Sequence, residues 1–268
     1  MNVRTGSLGL KLASSQIDLW YVCTDQVSAD VALRYHALLT GQELSHHDRF
    51  YIKKDRHRYL ITRALLREVL SFYLQGNPKD WRFKANLYGK PYLVDSGGLT
   101  QLINFNISHS DGLVVLAICR NKELGVDTEN TQRKAPIDVA ERFFSSSESR
   151  HLCSLPREYQ AMRFWEIWTL KESYIKARGM GLSLPLDLFS FDLEVPGAIF
   201  SVFASSLEDN PLRWQFLQLR PTEDHLLSVC IEAPSTDDPP IQWTIHESVP
   251  LVSHRLVHRE LNRISAGY

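Results

Sequence analysis

Three short segments of the chain carry side chains whose types and spacing could do chemistry. In the first, Gly125-Val-Asp127-Thr-Glu129, two acids lie two residues apart at the end of an apolar strand pattern. A period of two places both carboxylates on one face of a strand. Such a pair suits Mg²⁺, which takes one or two protein carboxylates together with substrate phosphates. A solvated pair of acids has the same pattern, so the motif alone leaves both interpretations open.

The second segment runs from Trp168 to Lys176 in a helical pattern. Glu172 and Lys176 are four residues apart in the favourable order, which also fits a surface ion pair contributing a few tenths of a kcal/mol. However, Trp168 and Ile175 share a face with Glu172, so the pair is expected beside a core or a cleft wall. There Glu172 could be a third metal ligand or a general base, and Lys176 could bind a phosphate.

The third segment, residues 104–112, is a strand that runs into a turn rich in small polar side chains. Asn106 and Ser108 share a strand face, and we expect His109 and Ser110 to open the turn. Hydroxyls, backbone N–H groups and an imidazole could converge there on an anion. A polar hairpin with Asp-Gly at its tip is the alternative.

Apolar periodicity predicts the elements that position these segments. It indicates a helix over 29–39 that ends at Gly41, a long helix over about 45–74, a short helix after the Ser145…Glu148 capping box, and a long helix over 157–178. The first long helix carries cations opposite its apolar face, either as a binding surface or as a solvated face. These cations are Arg49, Lys53, Lys54, Arg56, Arg58, Arg63 and Arg67.

Short strands follow each long helix, which favours two α+β halves over alternating βαβ units. A first strand is predicted over 17–23. The others are predicted over 81–84, 102–107, 113–119, 124–127, 189–194, 199–203, 214–219 and 226–231. Beyond about Ala233 the chain is rich in Pro and Asp, and no element is assigned there.

Composition narrows the class of protein. Of 268 residues, 44% are hydrophobic and 23% are charged, which is typical of a globular protein. Thirty basic and 31 acidic residues leave a net charge of −1, so neither nucleic acid nor a membrane surface is the expected partner. Four widely spaced cysteines favour the cytoplasm, and no apolar run reaches the roughly 18 residues of a membrane span.

Taken together, the segments resemble one family, the phosphopantetheinyl transferases of the surfactin type, whose single chain contains two similar halves. The resemblance covers about residues 49–191. Its motifs are Phe-Asn-Ile-Ser-His-Ser (105–110), Gly-Val-Asp-Thr-Glu (125–129), Arg-Phe-Phe-Ser (142–145) with Glu148, Trp-Thr-Leu-Lys-Glu-Ser-Tyr-Ile-Lys-Ala (168–177) and Gly-Leu-Ser-Leu-Pro-Leu (181–186).

The resemblance implies an α+β fold, a pseudo-dimer of two similar halves, each a long helix packed on a small antiparallel sheet. We place the halves at 1–115 and 116–233, followed by a C-terminal extension, 234–268. The implied reaction moves the phosphopantetheine arm of coenzyme A, as co-substrate, onto a serine of an apo acyl or peptidyl carrier protein. It releases adenosine 3′,5′-bisphosphate, depends on Mg²⁺ and serves fatty-acid, polyketide or nonribosomal-peptide synthesis. The enzyme is expected to be a cytoplasmic monomer.

The resemblance also implies roles for single residues. Asp127, Glu129 and Glu172 would hold Mg²⁺ on the pyrophosphate. Glu172 or Glu148 would take the serine proton, directly or through water, while Lys176 would bind the pyrophosphate oxygens.

Four further residues, Arg58, Lys90, Ser108 and His109, would bind the 3′-phosphate and the flanking phosphates. Where some relatives carry basic residues before the long helix, this chain has Glu43 and His46. The 3′-phosphate is therefore expected to depend more on Arg49, Lys53 and Arg58.

Thr128 stands between the paired acids, where an apolar residue is usual in the family. It is expected to point away from the metal, and its buried hydroxyl would then need a hydrogen-bond partner.

The surface that binds the carrier is expected to be positive or apolar, because carriers are acidic around the modified serine. Arg133, Lys134 and the stretch 142–150 are the candidates, although we expect at least one of Phe143 and Phe144 to be a core residue. Two other functions compete: a module that binds coenzyme A or a carrier without catalysis, and a magnesium-dependent phosphohydrolase. The first could dispense with Glu172 or Lys176, and the second would need no docking surface.

Overall fold

The chain forms two compact units, as seen in a computed structural model that describes residues 10–94, 103–234 and 239–266. Unit 1 comprises residues 1–85, 91–121 and 240–258, and unit 2 comprises 86–90, 122–239 and 259–268. Each unit has a hydrophobic core of its own. Among the helices described, none combines the length and the hydropathy needed to cross a membrane.

The helices of the described part are α1 (Ala29–His36), α2 (Gly41–His47), α3 (Lys53–Leu74), α4 (Ile137–Phe143), α5 (Ser146–Ser154) and α6 (Arg157–Arg178). The first strands are β1 (Gln16–Cys23), β2 (Phe83–Ala85), β3 (Pro91–Leu93), β4 (Ile103–Ser110), β5 (Leu113–Arg120) and β6 (Leu124–Asn130). They are followed by β7 (Phe189–Asp192), β8 (Ala198–Phe203), β9 (Trp214–Thr222), β10 (His225–Glu232), β11 (Gln242–Val249), β12 (Ser253–Leu256) and β13 (Leu261–Ser265).

The two units repeat one chain path. In unit 1, β1 leads through short helices to the 22-residue α3 and then to β4 and β5, which pair in the order β1-β5-β4. In unit 2, β6 leads through short helices to the 22-residue α6 and later to β9 and β10, which pair in the order β6-β10-β9. The predicted fold class, two similar α+β halves with a long helix and a small sheet each, is confirmed.

The large sheet of each unit contains parallel as well as antiparallel strand pairs, whereas the prediction was an antiparallel sheet in each half. In unit 1, β11 pairs in parallel with β1, and in unit 2, β13 pairs in parallel with β8. Both added strands come from the segment after Ala233, in which the sequence predicts no element. A parallel neighbour must return from a distant part of the chain, so no local turn signal reveals it.

The unit boundaries differ from the predicted divisions. The division at 115/116 falls inside β5, whereas the structure divides the chain after Asn121. The predicted extension 234–268 belongs to both units, because β11 and β12 lie in unit 1 and β13 in unit 2. Leu102, where one strand was predicted to start, lies outside the described residues.

The first long helix is shorter than predicted. The pattern over 45–74 contains two helices, separated by residues 48–52. Gly41 begins α2 instead of ending the preceding helix, because Thr40 and Glu43 form a capping box there. The Thr40 backbone N–H donates to Glu43 Oε2 at 2.7 Å, and the Glu43 N–H donates to Thr40 Oγ1 at 3.3 Å.

Two cations predicted on the exposed face of the first long helix lie instead at its contact with Glu43. Arg67 is completely buried, and its Nη2 lies 2.6 Å from Glu43 Oε2. Arg63 also pairs with Glu43, through Nε at 2.6 Å. The apolar stripe alone does not reveal this contact, because α2 covers part of the polar side of α3.

The second long helix spans 157–178, as predicted. Ile167, Leu170 and Tyr174 are fully or almost fully buried in the core of unit 2. The helix ends at Gly179, which adopts a left-handed conformation with φ of 63° and donates its N–H to Ile175 O at 2.9 Å. Glycine takes this conformation without the steric cost of a Cβ atom.

Candidate active site

The two acids of the first motif lie on the same face of β6. This strand pairs antiparallel with β10, so that Asp127 lies opposite Ser228 and Glu129 opposite Leu226. Asp127 is only 5% exposed, while the side chain of Glu129 is 20% exposed. The strand therefore presents one buried and one partly accessible carboxylate.

Gly125 allows helix α6 to approach β6 closely. A Cβ atom at this position would lie 2.0 Å from the backbone oxygen of Ser173 and 2.3 Å from the backbone nitrogen of Ala177. Both neighbours are backbone atoms, so no side-chain rotation could relieve such a clash. The close approach brings the Glu172 turn of α6 next to the acids of β6.

Helix α6 supplies the second acid and a cation. Lys176 Nζ lies 2.6 Å from Asp127 Oδ1, which links the helix to the strand. Its side chain is 27% exposed, so the ammonium group lies at the edge of the core. Trp168, one turn before Glu172, packs on the core against Phe143 and Phe164, as the helical spacing predicts.

Two carboxylates of this cluster, Glu129 and Glu172, have a raised pKa. Burial, and then the charge of Asp127, raises the pKa of Glu172 to about 7. Burial and Asp127 also raise the pKa of Glu129 to about 7, although Arg133 and Lys176 oppose the shift. Three acids are thus close enough to repel one another, and the nearby cations offset this repulsion incompletely.

The donor set fits a hard divalent cation. Asp127, Glu129 and Glu172 offer only carboxylate oxygens, the ligands that Mg²⁺ prefers, and a dication would relieve their repulsion. In the described part of the chain, the donor atoms of these three residues do not all lie within 4.8 Å of one another. Binding a cation would therefore require their side chains to rotate towards it.

Glu148 lies in a different environment from the one predicted for a catalytic acid. It is 4% exposed and forms a capping box with Ser145, whose N–H donates to Glu148 Oε2 at 2.9 Å. The same oxygen lies 2.8 Å from Lys171 Nζ, and Oε1 accepts from Phe191 N–H at 2.9 Å. Both oxygens hold α5, α6 and β7 together, which is a structural role.

Lys90, predicted to bind a phosphate, contacts the end of α6. Its Nζ donates to Ala177 O at 2.9 Å and lies 3.4 Å from Glu123 Oε2. A lysine that donates to the last carbonyls of a helix also complements the helix dipole. In this structure Lys90 therefore stabilises the C-terminus of α6.

In unit 1, the cations predicted to bind phosphate lie along and before α3. Arg49 and Lys53 are exposed, whereas Arg58 is partly buried and pairs with Asp55 at 2.6 Å. Arg49 also lines a cavity of about 940 Å³. Other charged lining residues of this cavity are Arg63, Arg67, Arg82, Lys84 and Glu43.

Ser108 and His109 lie in β4, which continues to Ser110. His109 therefore lies within the strand, whereas it was predicted to open the turn. Successive strand residues face opposite sides, and the structure buries Ser108 but exposes His109. The turn consists of Asp111 and Gly112, as the Asp-Gly pair indicates.

Comparison with known proteins decides the family. Residues 123–230 match the model of the 4′-phosphopantetheinyl transferase superfamily, and residues 26–121 match the N-terminal model of 4′-phosphopantetheinyl transferases. The chain is 37% identical over 166 residues to 4′-phosphopantetheinyl transferase Sfp of Bacillus subtilis, a stretch that covers 62% of this chain and 71% of that protein. The chain belongs to the 4′-phosphopantetheinyl transferase superfamily.

A second relative extends the match along the chain. HetI, a 4′-phosphopantetheinyl transferase of a Nostoc species, is 31% identical over 223 residues, which cover 83% of this chain and 90% of that protein. The surfactin-type assignment is therefore confirmed. The chain is a phosphopantetheinyl transferase, an enzyme that transfers phosphopantetheine to carrier proteins.

Lys171 is the main structural residue of the transferase that the sequence analysis missed. It is completely buried, and its Nζ donates to Leu186 O at 2.8 Å as well as pairing with Glu148. Its position could have been noticed, since Ile167, Lys171 and Tyr174 are four and three residues apart on the core face of α6. A cation at an apolar helical position indicates a buried partner.

A second missed feature is a polar network beneath the acids of β6. Thr169 of α6 and Ser228 of β10 have hydroxyl oxygens 2.8 Å apart, and Gln218 Nε2 donates to Ser228 Oγ at 3.0 Å. All three residues are buried, and Ser228 is the strand partner of Asp127. The network joins α6 to β10, which pairs with β6, and to β9, which pairs with β10.

The expectation for Thr128 of the transferase is confirmed. This residue is 1% exposed and alternates with Asp127 and Glu129 along β6, so it faces away from them. Its Oγ1 donates to Leu226 O at 3.0 Å. The hydroxyl therefore has the partner that its burial requires.

The predicted carrier-binding residues have different surroundings. Arg133 and Lys134 are both exposed, but Arg133 Nη1 lies 3.3 Å from Glu129 Oε2. Phe144 is a core residue at 3% exposure, and Phe143 packs partly against the same core. Of the two exposed cations, Arg133 contacts the acidic cluster, and Lys134 is the one more clearly separate from it.

Proposed function

We propose that the enzyme moves the 4′-phosphopantetheine arm of coenzyme A onto a serine hydroxyl of an apo acyl or peptidyl carrier protein. A bond forms between the serine oxygen and the β-phosphorus, the bond from that phosphorus to the bridging oxygen breaks, and adenosine 3′,5′-bisphosphate leaves. The serine proton passes to a base. The arrangement of Asp127, Glu129, Glu172 and Lys176 in a member of this family is the observation that carries the proposal.

Three carboxylates would hold the metal: Asp127, Glu129 and Glu172. A bound Mg²⁺ would neutralise charge on the pyrophosphate while the serine oxygen attacks. Lys176, at the exposed edge of the cluster, would bind the pyrophosphate oxygens by charge-assisted hydrogen bonds. Arg133 would limit the negative charge of Glu129 from the solvent side.

The proton acceptor that we propose is Glu172, acting directly or through a water molecule. Without a metal ion, burial and then the charge of Asp127 raise its pKa to about 7. A Mg²⁺ ion held by the three acids would lower this pKa and keep Glu172 in the deprotonated form that a base needs. Glu148 is assigned no step in the reaction, because both of its carboxylate oxygens are engaged in holding α5 and β7.

The residues of unit 1 are proposed to bind the phosphates of coenzyme A. Arg49, Lys53 and Arg58 supply positive charge. The charged side chains that line the cavity beside Arg49 are cations except for Glu43. Ser108 and His109 of β4 were expected to contribute to the same task. We retain His109, which is exposed, and assign no phosphate contact to the side chain of Ser108, which is buried on the opposite face of the strand. The Lys90 ammonium group already donates to the carbonyl of Ala177 at the end of α6. We therefore propose phosphate binding by Lys90 only in addition to this structural role.

We propose that the enzyme is a monomer and that it is located in the cytoplasm. The four cysteines form no disulfide in the described part of the chain, which supports a reducing compartment.

Lys134 and the stretch 142–150 are proposed to bind the carrier.

Intact-mass spectrometry of several apo carrier proteins tests the proposal. Each carrier is incubated with the enzyme, coenzyme A and Mg²⁺, and the expected result is the mass gain of one phosphopantetheine arm together with released adenosine 3′,5′-bisphosphate. The reaction should stop when a chelator removes Mg²⁺. Glu172→Gln should lower the rate at least about a hundredfold.

Glu158→Gln is the matched control, because it makes the same change at an exposed position of the same helix. It should keep the wild-type rate. Hydrolysis of coenzyme A without a mass gain would favour a phosphohydrolase, and binding without either product would favour a non-catalytic module. Equal rates for the two variants would refute the assignment of Glu172.

A further inference from the structure

A row of polar side chains crosses the core-facing side of the sheet in unit 2. Asp127 of β6 lies opposite Ser228 of β10, which in turn lies opposite Gln218 of β9. The row ends at Arg263 of β13, the strand partner of Gln218. Directly opposed residues of neighbouring strands point to the same face of a sheet. The four side chains therefore form one line that runs from the acidic cluster to the C-terminal strand.

Helix α6 carries a matching stripe of polar residues on the side that faces this row. The members of the stripe are three or four positions apart and so lie on one side of the helix. They are Glu166, Thr169, Ser173 and Lys176. Lys176 Nζ lies 2.6 Å from Asp127 Oδ1, and Glu166 Oε1 lies 3.4 Å from Arg263 Nε. Each end of the stripe therefore forms an ion pair with one end of the row.

The middle of the row is joined to the helix by hydrogen bonds. Gln218 Nε2 lies 3.0 Å from Ser228 Oγ, 3.2 Å from Thr169 Oγ1 and 3.1 Å from the backbone oxygen of Glu166. The hydroxyl oxygens of Thr169 and Ser228 are 2.8 Å apart. Thr169, Gln218 and Ser228 are all completely buried, and the core around them is apolar. A polar network thus occupies the contact between α6 and the sheet.

This network contributes more to the placement of α6 than to stability. Gln218 Oε1 is buried and has no hydrogen-bond partner among the residues that the structure describes, which costs free energy. An apolar side chain of similar shape would avoid that cost. What the polar groups provide is a register, because a shift of α6 along the sheet would separate each of them from its partner.

We propose that Thr169, Gln218 and Ser228 are positioning residues, which set the register of α6 on the sheet and so hold Glu172 beside Asp127. Glu172 follows Thr169 by three positions on α6, and Asp127 is the strand partner of Ser228. The three residues act through these two acids. The proposal rests on the proposed metal site of Asp127, Glu129 and Glu172, and it names the residues that bring the acids of strand and helix together.

Mn²⁺ binding to the full-length protein, measured by electron paramagnetic resonance without coenzyme A or carrier, tests this role independently of catalysis. Mn²⁺ prefers the same oxygen ligands as Mg²⁺. Gln218→Met keeps the length of the side chain and removes its polar atoms. We expect its melting temperature to change little, while the Kd for Mn²⁺ rises at least about threefold. The rate of carrier modification at subsaturating Mg²⁺ should fall by a similar factor.

Thr169 offers a matched pair of substitutions. Thr169→Ser keeps the hydroxyl and should keep the wild-type affinity for Mn²⁺. Thr169→Val keeps the shape but removes the hydroxyl, so it should weaken Mn²⁺ binding as Gln218→Met does.

Ser71→Ala is the control for the loss of a buried hydroxyl. Ser71 belongs to unit 1, where its Oγ donates to Arg67 O at 2.9 Å and accepts from Trp81 Nε1 at 2.8 Å. Its replacement should lower the melting temperature and leave the affinity for Mn²⁺ unchanged.

Wild-type affinity for Mn²⁺ in both Gln218→Met and Thr169→Val would overturn the proposal and leave a network that only stabilises the core. An equal loss of affinity in Ser71→Ala would also overturn it, because any lost buried hydroxyl would then have the same effect. Absence of saturable Mn²⁺ binding to the wild type would refute the metal site and the positioning role together. A wild-type enzyme that binds Mn²⁺ but modifies no carrier would refute the proposed function alone, since the positioning role is decided by affinity.

Discussion

At the residue scale, Glu148 and Glu172 show how the surroundings of a carboxylate decide its role. Glu148 accepts from two backbone N–H groups and pairs with a buried lysine, so its charge is fully engaged. Glu172 lies beside Asp127, and its pKa rises to about 7. The family resemblance implied either acid as the base, since the spacing of the two residues carries no information on which of them would be surrounded by donors.

We expect Lys176→Ala to lower turnover at least about a hundredfold and to change the free energy of unfolding by only about 1 kcal/mol. The ammonium group is partly exposed, so its ion pair with Asp127 contributes modestly to stability. Turnover at saturating Mg²⁺ and chemical denaturation measure the two effects. Arg157→Ala, an exposed cation at the start of the same helix, should change neither. Near-normal turnover of Lys176→Ala would contradict the assigned role.

For Glu148→Gln we expect the opposite result, a loss of about 3–5 kcal/mol of stability, because Lys171 would remain buried without its counter-ion. Replacing both residues, as Glu148→Gln with Lys171→Met, should recover much of the loss. Urea unfolding of the three proteins measures the effect. A wild-type unfolding midpoint for Glu148→Gln, together with a collapsed rate, would restore this residue as a catalytic acid.

At the element scale, α6 was predictable because its signals are local. Its apolar face recurs every three or four residues and Gly179 ends it, so no distant contact is needed to define its ends. The break between α2 and α3 was missed because the apolar pattern continues across residues 48–52. Strands β11 to β13 were also missed, because their hydrogen-bond partners lie far away in the sequence.

The close approach of β6 and α6 leads to a prediction for Gly125→Ala. The added Cβ would clash with the backbone at Ser173 and Ala177, so we expect α6 to shift from β6, with a stability loss of about 3 kcal/mol or more. The acids and Lys176 would move apart. The carrier-modification rate should therefore fall by more than the smaller fraction of folded protein alone would cause. Thermal unfolding and the carrier-modification rate measure these effects.

Gly41→Ala provides the matched control for that substitution. A Cβ atom at Gly41 meets no other atom within 4 Å, so stability and rate should stay at wild-type values. If Gly125→Ala behaved like Gly41→Ala, the close packing of β6 against α6 would not be needed to position the acids.

At the scale of the whole molecule, the C-terminal segment completes both units, since β11 and β12 belong to unit 1 and β13 to unit 2. One contact of this segment carries a titratable group. The Leu251 N–H donates to Glu68 Oε1 at 2.7 Å, across 183 positions of sequence. Burial raises the pKa of Glu68 to about 7, although this hydrogen bond opposes the shift.

The raised pKa of Glu68 makes stability depend on pH. Its folded-state pKa exceeds the ordinary value of 4.5, so the folded protein binds the proton more tightly, and this contribution to stability falls as pH rises from about 4.5 to 7. Glu68→Gln stays neutral and still accepts from Leu251. We expect the variant to gain up to about 3 kcal/mol over wild type between pH 5 and pH 8, as measured by urea unfolding. A constant difference across this range would contradict the shift.

The near-neutral charge of the whole chain means that carrier binding must depend on a local surface. Lys134 is exposed, whereas Arg133 contacts Glu129 of the acidic cluster, so the two cations should respond differently to charge reversal. We expect Lys134→Glu to raise the KM for an acidic carrier and to make it less sensitive to salt, since such charges act within a Debye length of about 8 Å. The KM for coenzyme A should not change.

Arg133→Glu should instead place a fourth acid beside Glu129 and change the Mg²⁺ concentration needed for activity. Steady-state rates of both variants, measured against carrier, coenzyme A and Mg²⁺ at low and high salt, separate these effects. An unchanged carrier KM for Lys134→Glu would place the docking surface elsewhere. A raised KM for coenzyme A would assign Lys134 to the nucleotide instead, because a charge at the carrier rim has no reason to alter the affinity for a separate co-substrate.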